Sequence, residues 1–476
     1  MIRIKKLLSL FLLSVSAVTF CYSDQPPANS PHILINFMKS KGLVDYYPSQ
    51  DIPDDSAQIV KNLEFEQFMT PRKGLRNVTS DNVAPSVNHP GNFVNIFVSS
   101  TNLRYAIYSR GTFLFQQRMS AGSTPGTQIS GSFTDTTREI DGLNWNGQFF
   151  IVGPNPSLRL AETTPGSDLQ VFNASGVPQG QFIESHLDRM LVAKTTDGPL
   201  TIYFSAVNDP NSFPAVNTLT LTGVRELDDI TGLGQNLLSN KPIYTRNTCR
   251  LLTGTAFPIG GTGGNVDVRI ISPDIGCIHH RTIKTMGPKQ YFYSSGPNGT
   301  TPGIYSNNGI TIKEVTKGQR EFFKTLNTST TPIPNAFVYE DSYCLNVATV
   351  NGILNHYFVC VDDNGVTRTG EWGTQGGPTG EPIAIDMVSV FQGTSRAING
   401  NRKTGGFLET MWEIDKIQND DNVSLIDWKY KTQDFNMGGE ANQKLAHSGF
   451  ITFKNHPSTF SVSAIYDMGR ATTTWI

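Results

Sequence analysis

The chain has 476 residues, including 44 glycines and 27 prolines, and only 16% of its residues are charged. This length fits one large repeat-built domain with a small additional segment, and the scarcity of charged helix formers excludes a mainly helical protein. The formal net charge is -2. The sequence therefore lacks the strong basic character with which proteins grip nucleic acid through its phosphates.

The N-terminal segment follows the pattern of a secretory signal peptide. Three basic residues precede an apolar stretch from Leu7 to Phe20, and the small residue Ser23 stands before a possible cleavage point. A basic start, an apolar centre and small residues at the cleavage site mark such a leader. The apolar stretch is short for a helix that spans a membrane. We therefore expect residues 1–23 to form a signal-peptide-like leader.

Both flanks of the central region have their own character. Residues 24–80 are expected to be an extended arm with the first strands, and this arm is expected to cross into the first blade of the domain that follows. Residues 425–476 contain three longer strands without tight Asn-Gly turns. They predict a small C-terminal β-sandwich-like segment or an augmenting sheet.

Residues 81–424 alternate short apolar strands with tight turns. Asn-Gly and Asp-Gly pairs are favoured in two-residue hairpin turns because both residues tolerate positive φ. The hairpin clusters recur about every 45 to 60 residues, which is the length of a four-stranded propeller blade. The sequence thus predicts an all-β chain whose main domain is a β-propeller of irregular four-stranded blades. The predicted turns lie at Ser109-Arg110-Gly111, Asn146-Gly147, Asp197-Gly198, Asn298-Gly299, Asn308-Gly309, Asn351-Gly352 and Asn364-Gly365.

The cysteines do not follow a metal-binding pattern. None of the five stands in a CxxC or Cys/His spacing typical of zinc sites. Buried free thiols are the favoured interpretation, although export of the chain would allow two disulfides. The five residues are Cys21, Cys249, Cys277, Cys344 and Cys360.

Two histidine motifs are candidate chemical sites. His279 and His280, if they lay in a strand, would point to opposite faces and could not easily share a metal. His186 and Asp188, at i and i+2 of a strand, could form an acid–base pair, although a structural hydrogen bond is the favoured role.

The glycine-rich loop at Gly260–Asn265 lacks the residues of a phosphate-binding loop. A propeller hydrolase is the last-ranked function because no repeated Asp-box turn occurs. The sequence predicts no catalytic residue, no metal and no cofactor.

Four phrases occur in order between Gly42 and Trp428. The first combines an Asn-x-x-Phe strand with an Arg-Lys-Gly turn. The second joins an Arg-bearing strand, a strand that ends in Ser and an Asp-Pro-x-x-Phe turn. The third links Ile-Gly-Cys to Gly-Ile-Tyr and Asn-Gly, and the fourth is a blade that ends in Trp. The residues that carry these phrases are Asn62, Phe65, Arg72, Lys73, Gly74, Arg189, Ser205, Asp209, Pro210, Phe213, Gly276, Cys277, Gly303, Tyr305, Gly309 and Trp372.

Together these phrases resemble the β-propeller tail hub (nozzle) and packaged-DNA stabilisation proteins of short-tailed bacteriophages. The resemblance implies a structural virion protein of the phage tail, not an enzyme. Six copies would form a ring below the portal-adaptor ring, extend the DNA exit channel and mount a tail needle or fibre protein. DNA would pass through the lumen during ejection without specific binding, which the near-neutral charge favours.

The leader departs from this family pattern, because a virion protein assembled in the bacterial cytoplasm has no use for a cleaved leader. The apolar start is then a mis-called start codon, an uncleaved anchor or plug, or a true export signal. A true signal favours the alternative function, a secreted or periplasmic β-propeller that binds a glycan or a protein. The localisation is accordingly the virion or, in the alternative, outside the cytoplasm.

Overall fold

The computed structural model divides into two compact units, residues 37–433 and residues 1–36 with 434–476. Nearly all of its regular structure is β-strand. The described residues are 57–61, 63–65, 69–71, 74–77, 94–110, 113–118, 127–132, 140–153, 157–223, 228–258, 263–328, 334–339, 341–348, 356–362, 367–369, 385–391, 394–399, 411–415, 420–421, 424–425, 429–432, 462–466 and 471–475.

Four short strands precede the main domain, and five sheets of four consecutive strands follow them. Each of these five sheets is antiparallel and keeps its strands in chain order. The first four strands are β1 (Ala57–Lys61), β2 (Leu63–Phe65), β3 (Met69–Pro71) and β4 (Gly74–Asn77). Blade 1 is β5 (Val94–Val98), β6 (Arg104–Arg110), β7 (Phe113–Arg118) and β8 (Thr127–Ser132). Blade 2 is β9 (Asp141–Trp145), β10 (Gln148–Val152), β11 (Leu158–Glu162) and β12 (Leu169–Asn173). Blade 3 is β13 (Phe182–His186), β14 (Arg189–Ala193), β15 (Thr201–Phe204) and β16 (Thr218–Thr220). Blade 4 is β17 (Ile230–Leu233), β18 (Lys241–Thr245), β19 (Cys249–Thr253) and β20 (Asp267–Ser272). Blade 5 is β21 (Lys284–Met286), β22 (Lys289–Ser294), β23 (Gly303–Asn307) and β24 (Ile312–Glu314).

The last two blades recruit strands from the N-terminal arm. Blade 6 is extended by β2 and β3 into a six-stranded sheet, and blade 7 takes β4 as its fourth strand. Blade 6 contains β25 (Asn335–Tyr339), β26 (Ser342–Ala348), β27 (His356–Asp362) and β28 (Thr367–Thr369). Blade 7 contains β29 (Ile385–Phe391), β30 (Thr394–Asn399) and β31 (Met411–Asp415). The remaining strands are β32 (Asp420–Asp421), β33 (Ser424–Leu425), β34 (Lys429–Thr432), β35 (Val462–Tyr466) and β36 (Ala471–Trp475).

The sheets close into a ring, which confirms the predicted β-propeller. The first strands of successive blades contact one another, and β29 of blade 7 contacts β5 of blade 1. Between blades 4 and 5, β17 contacts a short 3-10 helix, η1 (His280–Thr282), that precedes β21. The other short helices described are η2 (Pro297–Gly299), η3 (Lys317–Gln319) and α1 (Arg320–Lys324).

The hydrophobic core lies between the blades. Phe97 of blade 1, for example, packs against Phe149 of blade 2 with ring centroids 5.8 Å apart. Further buried clusters fill the spaces between blades 2 and 3, 3 and 4, 4 and 5, and 5 and 6. A middle strand therefore buries both faces, and every residue of β14 is buried. This explains why the strands read as short apolar runs rather than as strict alternation.

The N-terminal arm pairs with blades other than the one expected. It was expected to enter the first blade, but β4 pairs with β31 of blade 7 and β2 pairs with β28 of blade 6. Because β4 immediately precedes blade 1 in the chain, its pairing with blade 7 joins the two ends of the propeller. At the C-terminal flank, β34 pairs with β1, and β35 with β36 forms a hairpin. The sandwich-like segment stays a prediction.

The tight turns were predicted well where Asn-Gly pairs stand between strands. Asn146-Gly147 connects β9 to β10, and Asn298-Gly299 lies between β22 and β23, each pair with positive φ at both residues. Asn308-Gly309 joins β23 to β24, and Asp197-Gly198 lies between β14 and β15. Strands β6 and β7 form the first predicted hairpin, although β6 extends to Arg110. The turns at 351–352 and 364–365 lie outside the described residues.

Both strand-based interpretations of the histidine motifs were wrong. His186 ends β13, but Asp188 lies in the two-residue turn that follows, with φ of 54°. The two side chains therefore do not share a strand face. His279 caps η1 and His280 begins it, so neither lies in a strand.

Candidate functional site

The candidate site is a group of charged and polar side chains near the axis of the propeller. Asp141 begins β9 in blade 2, and His280 begins η1 before blade 5. Asp141 Oδ2 lies 3.0 Å from His280 Nε2, and the same oxygen accepts a hydrogen bond of 2.9 Å from the Ile183 N–H in blade 3. Because blades 2 and 5 are not neighbours, this contact links parts of the ring that are separated by blades 3 and 4.

The hydrogen bonds determine the tautomer of His280. Its Nδ1 accepts a hydrogen bond of 3.3 Å from the Leu233 N–H, so Nδ1 carries no proton in this arrangement. Nε2 must then hold the proton and donate it to Asp141. The ring of Phe182 packs against the imidazole with centroids 4.9 Å apart. The Asp141–His280 contact is therefore a hydrogen bond from Nε2 of the imidazole to a carboxylate oxygen.

Asp141 is kept ionised by its partners. Burial acts to raise the pKa of its carboxyl group, but His280 and two backbone N–H groups, from Ile183 and Gly142, act in the opposite direction. The net pKa of Asp141 lies below its ordinary value of 3.8. Such a carboxylate is a permanent hydrogen-bond acceptor at neutral pH and is poorly suited to donate a proton.

Lys241 at the start of β18 supplies the second charge pair. Its side chain is fully buried, and Nζ donates to Glu184 Oε2 at 2.9 Å and to the Ser185 carbonyl oxygen at 3.0 Å. Burial lowers the pKa of the Lys241 amine below its ordinary value, while Glu184 and Asp141 oppose that shift. The pair joins the first strand of blade 3 to the second strand of blade 4.

His186 completes the group. It is buried, and its Nδ1 lies 3.1 Å from Asn236 Oδ1, which makes Nδ1 the donor. Burial lowers the pKa of His186, the charge of Lys241 lowers it further, and the hydrogen bond to Asn236 opposes them. The net pKa lies below 6.5, so this imidazole is neutral at pH 7. A structural hydrogen bond, the favoured interpretation of His186, agrees with this contact.

The arrangement is suited to bracing blades rather than to a reaction. Both carboxylates, the amine and the His280 imidazole already bond to other groups of the chain, and their contacts join blades 2, 3, 4 and 5. Within the described ranges, no cluster of three or more His, Cys, Asp or Glu residues could hold a metal ion. The expectation of no catalytic residue and no cofactor stays a prediction.

The second family phrase forms a compact structural unit at one end of the two middle strands of blade 3. Arg189 Nη1 donates to the Ser205 carbonyl oxygen at 2.6 Å, and its guanidinium lies over the rings of Phe204 and Phe257. Ser205 Oγ accepts from the Met190 N–H at 3.0 Å. In the turn that follows, Asp209 is exposed and accepts from the Asn211 N–H, Pro210 is buried and Phe213 is partly buried against the core.

The third phrase packs blade 4 against blade 5. A side chain at Gly276 would overlap the carbonyl oxygen of Thr245, and the N–H of Cys277 donates to that same oxygen at 2.9 Å. Tyr305 is buried in the same apolar cluster as Cys277. Gly303 starts β23, and Gly309 has a φ of 84° in the turn after it. The glycine at 276 allows two backbone segments to approach closely, and the glycine at 309 allows the positive φ that the turn requires.

Of the remaining family positions, two lie in described strands and four lie outside the described residues. Phe65 is in β2, and Gly74 begins β4, which closes the ring. Asn62, Arg72, Lys73 and Trp372 lie outside the described residues. The glycine-rich loop is anchored at its base, where Asn265 Oδ1 accepts from the N–H groups of Thr255 and Ala256 at 2.8 Å each.

The four described cysteines form one disulfide and two free thiols, and Cys21 lies outside the described residues. Cys344 and Cys360 stand opposite each other on β26 and β27 and form a disulfide, so the free-thiol interpretation was wrong for this pair. Cys249 and Cys277 are buried and free. Burial raises the pKa of the Cys277 thiol to about 12 and also raises that of Cys249. Both thiols are therefore inert in the folded chain, as their apolar sequence context indicated.

Sequence reasoning missed Asp141, Glu184 and Lys241. Their partners are remote in the chain, so no local spacing could identify them. One signal was present: Lys241 opens the otherwise apolar run KPIYT, and a lysine that heads a buried strand needs an acidic partner.

Comparisons with known proteins give no family for the chain and only distant structural similarities. No protein-family model matches the sequence, and no curated protein matches it. Three similar solved structures are the WD40 domain of Toxoplasma gondii coronin, YCF48 from Cyanidioschyzon merolae and the extracellular domain of a putative hybrid two-component system from B. thetaiotaomicron. Each match covers 72% of this chain, at sequence identities of 10%, 10% and 8% and TM-scores of 0.40, 0.41 and 0.39. The matches span 87%, 98% and 39% of those chains, respectively.

Among the residues that the structure describes, no helix is long and apolar enough to cross a membrane. The chain is a β-propeller whose inner strands are joined by buried polar contacts.

Proposed function

We propose that the chain is a structural virion protein, the tail hub or nozzle of a short-tailed bacteriophage. In this role six copies form a ring that extends the DNA exit channel below the portal-adaptor ring, helps to retain packaged DNA and mounts a needle or fibre. The proposal starts from the four ordered phrases. The observation that carries it is that the phrase residues in blades 3 to 5 act as braces and turns, as a scaffold requires.

In the proposed ring the DNA channel is enclosed between copies, and each propeller is a wall segment of it. The contact of Asp141 with His280, and that of Arg281 Nη2 with the Ile140 carbonyl oxygen at 3.5 Å, link blade 2 to the segment before blade 5 and support a rigid wall segment.

The test of this proposal is assembly on the partner ring. If a portal, a terminase and an adaptor gene stand beside this gene, their products are co-expressed with the chain and examined by electron microscopy. We expect six propellers below the adaptor ring. A chain that stays monomeric at high concentration in the presence of the adaptor ring would exclude the hub function.

A secreted or periplasmic binding propeller is the second candidate, and the disulfide favours it. Disulfides persist in oxidising compartments and are rare in the cytoplasm, and Cys344–Cys360 lies inside blade 6. The signal-like leader points in the same direction. Mass spectrometry of the native N-terminus separates the two functions. A mature chain that begins at Asp24 in an extracellular fraction supports export, and an intact Met1 or a start near Ile33 supports the phage function.

A further inference from the structure

Two imidazoles of the propeller have neighbours of opposite charge. His280 Nε2 lies 3.0 Å from the Asp141 carboxylate. His186 is only 2% exposed, and the buried Lys241 Nζ donates at 3.0 Å to the carbonyl oxygen of Ser185, the residue just before it. A positive charge on His280 would face an anion, whereas a positive charge on His186 would face a cation. The second imidazole is therefore the point at which an added proton conflicts with its surroundings.

The ring of His186 has no place for a second proton. Its Nδ1 donates to Asn236 Oδ1 at 3.1 Å, and its Nε2 is buried without a hydrogen-bond partner among the described residues. The ring of Phe257 packs edge-on against it, with centroids 5.9 Å apart. A proton on Nε2 would be a buried donor without an acceptor, which is unfavourable. A charged His186 therefore requires water, which reaches Nε2 only when the covering groups move.

The charged groups around His186 do not balance an imidazolium. Strand β13 itself contributes Glu184, whose carboxylate is already bonded to Lys241 of β18. Strand β14 contributes Arg189, a second cation, directly opposite His186 in the strand register. Asp188, in the turn between these two strands, is exposed. The other two contacts of the ring, with the amide and the aromatic side chain described above, are uncharged.

Two strained turns flank the contact between His186 and Asn236. His186 leads directly into the turn formed by Leu187 and Asp188, which have φ values of 48° and 54°. Asn236 leads into the corresponding turn of blade 4, where Leu238 has a φ of 56° and is 88% exposed. Leucine adopts this left-handed conformation at a cost. Opening of these turns relieves that strain, and such strain is often found in segments that switch.

We propose that the contact of His186 with Asn236 is an acid-sensitive switch between blades 3 and 4. Protonation of Nε2 by solvent opens the two turns and releases the Phe257 ring, while the other blades stay packed. The proton stays on the imidazole, so only hydrogen bonds and packing change. This inference goes beyond the proposed function, and the switch acts equally in a virion protein or in a secreted chain.

The direction of the response follows from the pKa of His186. Burial, and then the charge of Lys241, lower this pKa in the closed form. In the open form the imidazole has its ordinary pKa of about 6.5. The closed form is therefore fully favoured above that pH and loses its advantage as the pH falls. From pH 7.5 to pH 5 the opening equilibrium should increase by up to about 30-fold, because only the open form takes up the proton readily.

Hydrogen exchange of the full-length chain, measured by mass spectrometry at pH 7.5 and pH 5, tests the switch. After correction for the intrinsic exchange rate at each pH, exchange of residues 187–190 and 236–240 should accelerate by up to about 30-fold on acidification. Residues 94–173, which contain no histidine, should keep their protection. An equal loss of protection in both regions would show global unfolding and would overturn a switch between blades 3 and 4.

Three variants separate the switch from a merely structural role of the histidine. His186→Gln should abolish the acid response, and His280→Gln, the matched control, should retain it. Asn236→Asp places a carboxylate beside Nδ1, which favours the proton in the closed form, so the response should decrease several-fold. Asn236 is exposed, so this variant tests the switch even where His186→Gln is destabilised. A full acid response in His186→Gln, or an unchanged response in Asn236→Asp, would overturn the switch.

Discussion

Asp141 Oδ2 and His280 Nε2 lie 3.0 Å apart, although Asp141 belongs to blade 2 and His280 to the connection before blade 5. The Ile183 N–H and the Leu233 N–H complete this contact from blades 3 and 4. One acid and one imidazole therefore hold the inner strands of four blades at fixed distances.

Asp141→Asn should destabilise the propeller. The amide keeps the size of the carboxylate but replaces one acceptor oxygen by a donor, so either the Gly142 N–H or the Ile183 and His280 donors lose their partner. Leaving buried donors unsatisfied costs about 1–3 kcal/mol. Urea unfolding followed by tryptophan fluorescence measures the change. Asp197→Asn, in an exposed loop, is the control and should stay within about 0.5 kcal/mol of the parent.

The Lys241–Glu184 pair should show strong coupling in a double-mutant cycle. Lys241→Met alone removes the charge partner of Glu184, and loss of one partner of a buried pair costs about 3–5 kcal/mol. The double variant Lys241→Met, Glu184→Gln leaves no unpaired charge and should lose less than the sum of the single changes. If the loss of unfolding free energy in the double variant equals the sum of the losses in the single variants, the two side chains do not interact directly.

Acid should destabilise the chain through His186. The pKa of His186 is lowered in the folded state, so on acidification the unfolded chain takes up the proton first. The stability is fully present above the unfolded pKa of about 6.5 and decreases as the pH falls below it. His186→Gln should give a shallower decrease between pH 7 and pH 5. Identical slopes for the parent and the variant would exclude this role of His186.

The disulfide should stabilise blade 6. Cys344 and Cys360 are 16 residues apart, and closing a loop of that length stabilises a protein by about 3 kcal/mol. Replacing both cysteines by alanine should lower the free energy of unfolding by about that amount. Addition of a reductant should then change the parent and leave the double variant unaffected. A parent that is insensitive to reductant would show that the pair does not brace the blade.

Removal of β4 should open the ring. A chain truncated to begin at residue 72 loses β1, β2 and β3 but keeps β4, and a chain that begins at residue 78 loses β4 as well and leaves blade 7 without its fourth strand. We expect the shorter chain to melt at a lower temperature and to aggregate through the freed edge of β31. Equal melting temperatures for the two truncations would contradict closure of the ring by β4.

The sequence predicted local structure better than remote contacts. Asn146-Gly147 and Asn298-Gly299 marked hairpins because their residue types allow positive φ. The turn at Leu187-Asp188 was missed. Its two residues have φ values of 48° and 54°, and leucine is rarely found at a turn position with positive φ. The pairing of β4 with β31 depends on ring closure across the whole domain.

The candidate site could not be predicted from the sequence, for a related reason. Asp141 and His280 become partners only because blades 2 and 5 face one axis, which no local pattern encodes. His280 was also assigned to a strand, because the 3-10 helix that holds it has only three residues and follows an apolar run. Repeat architecture can be inferred from hairpin spacing, but contacts between repeats depend on how the blades are placed.

In the proposed function the propeller is a mechanical part of a larger ring. Electron microscopy of particles assembled with the adjoining portal and adaptor tests it most directly. We expect six propellers around a channel below the adaptor ring. Discrete monomers in the extracellular fraction, with Asp24 at the N-terminus and no association with the adaptor, would contradict it.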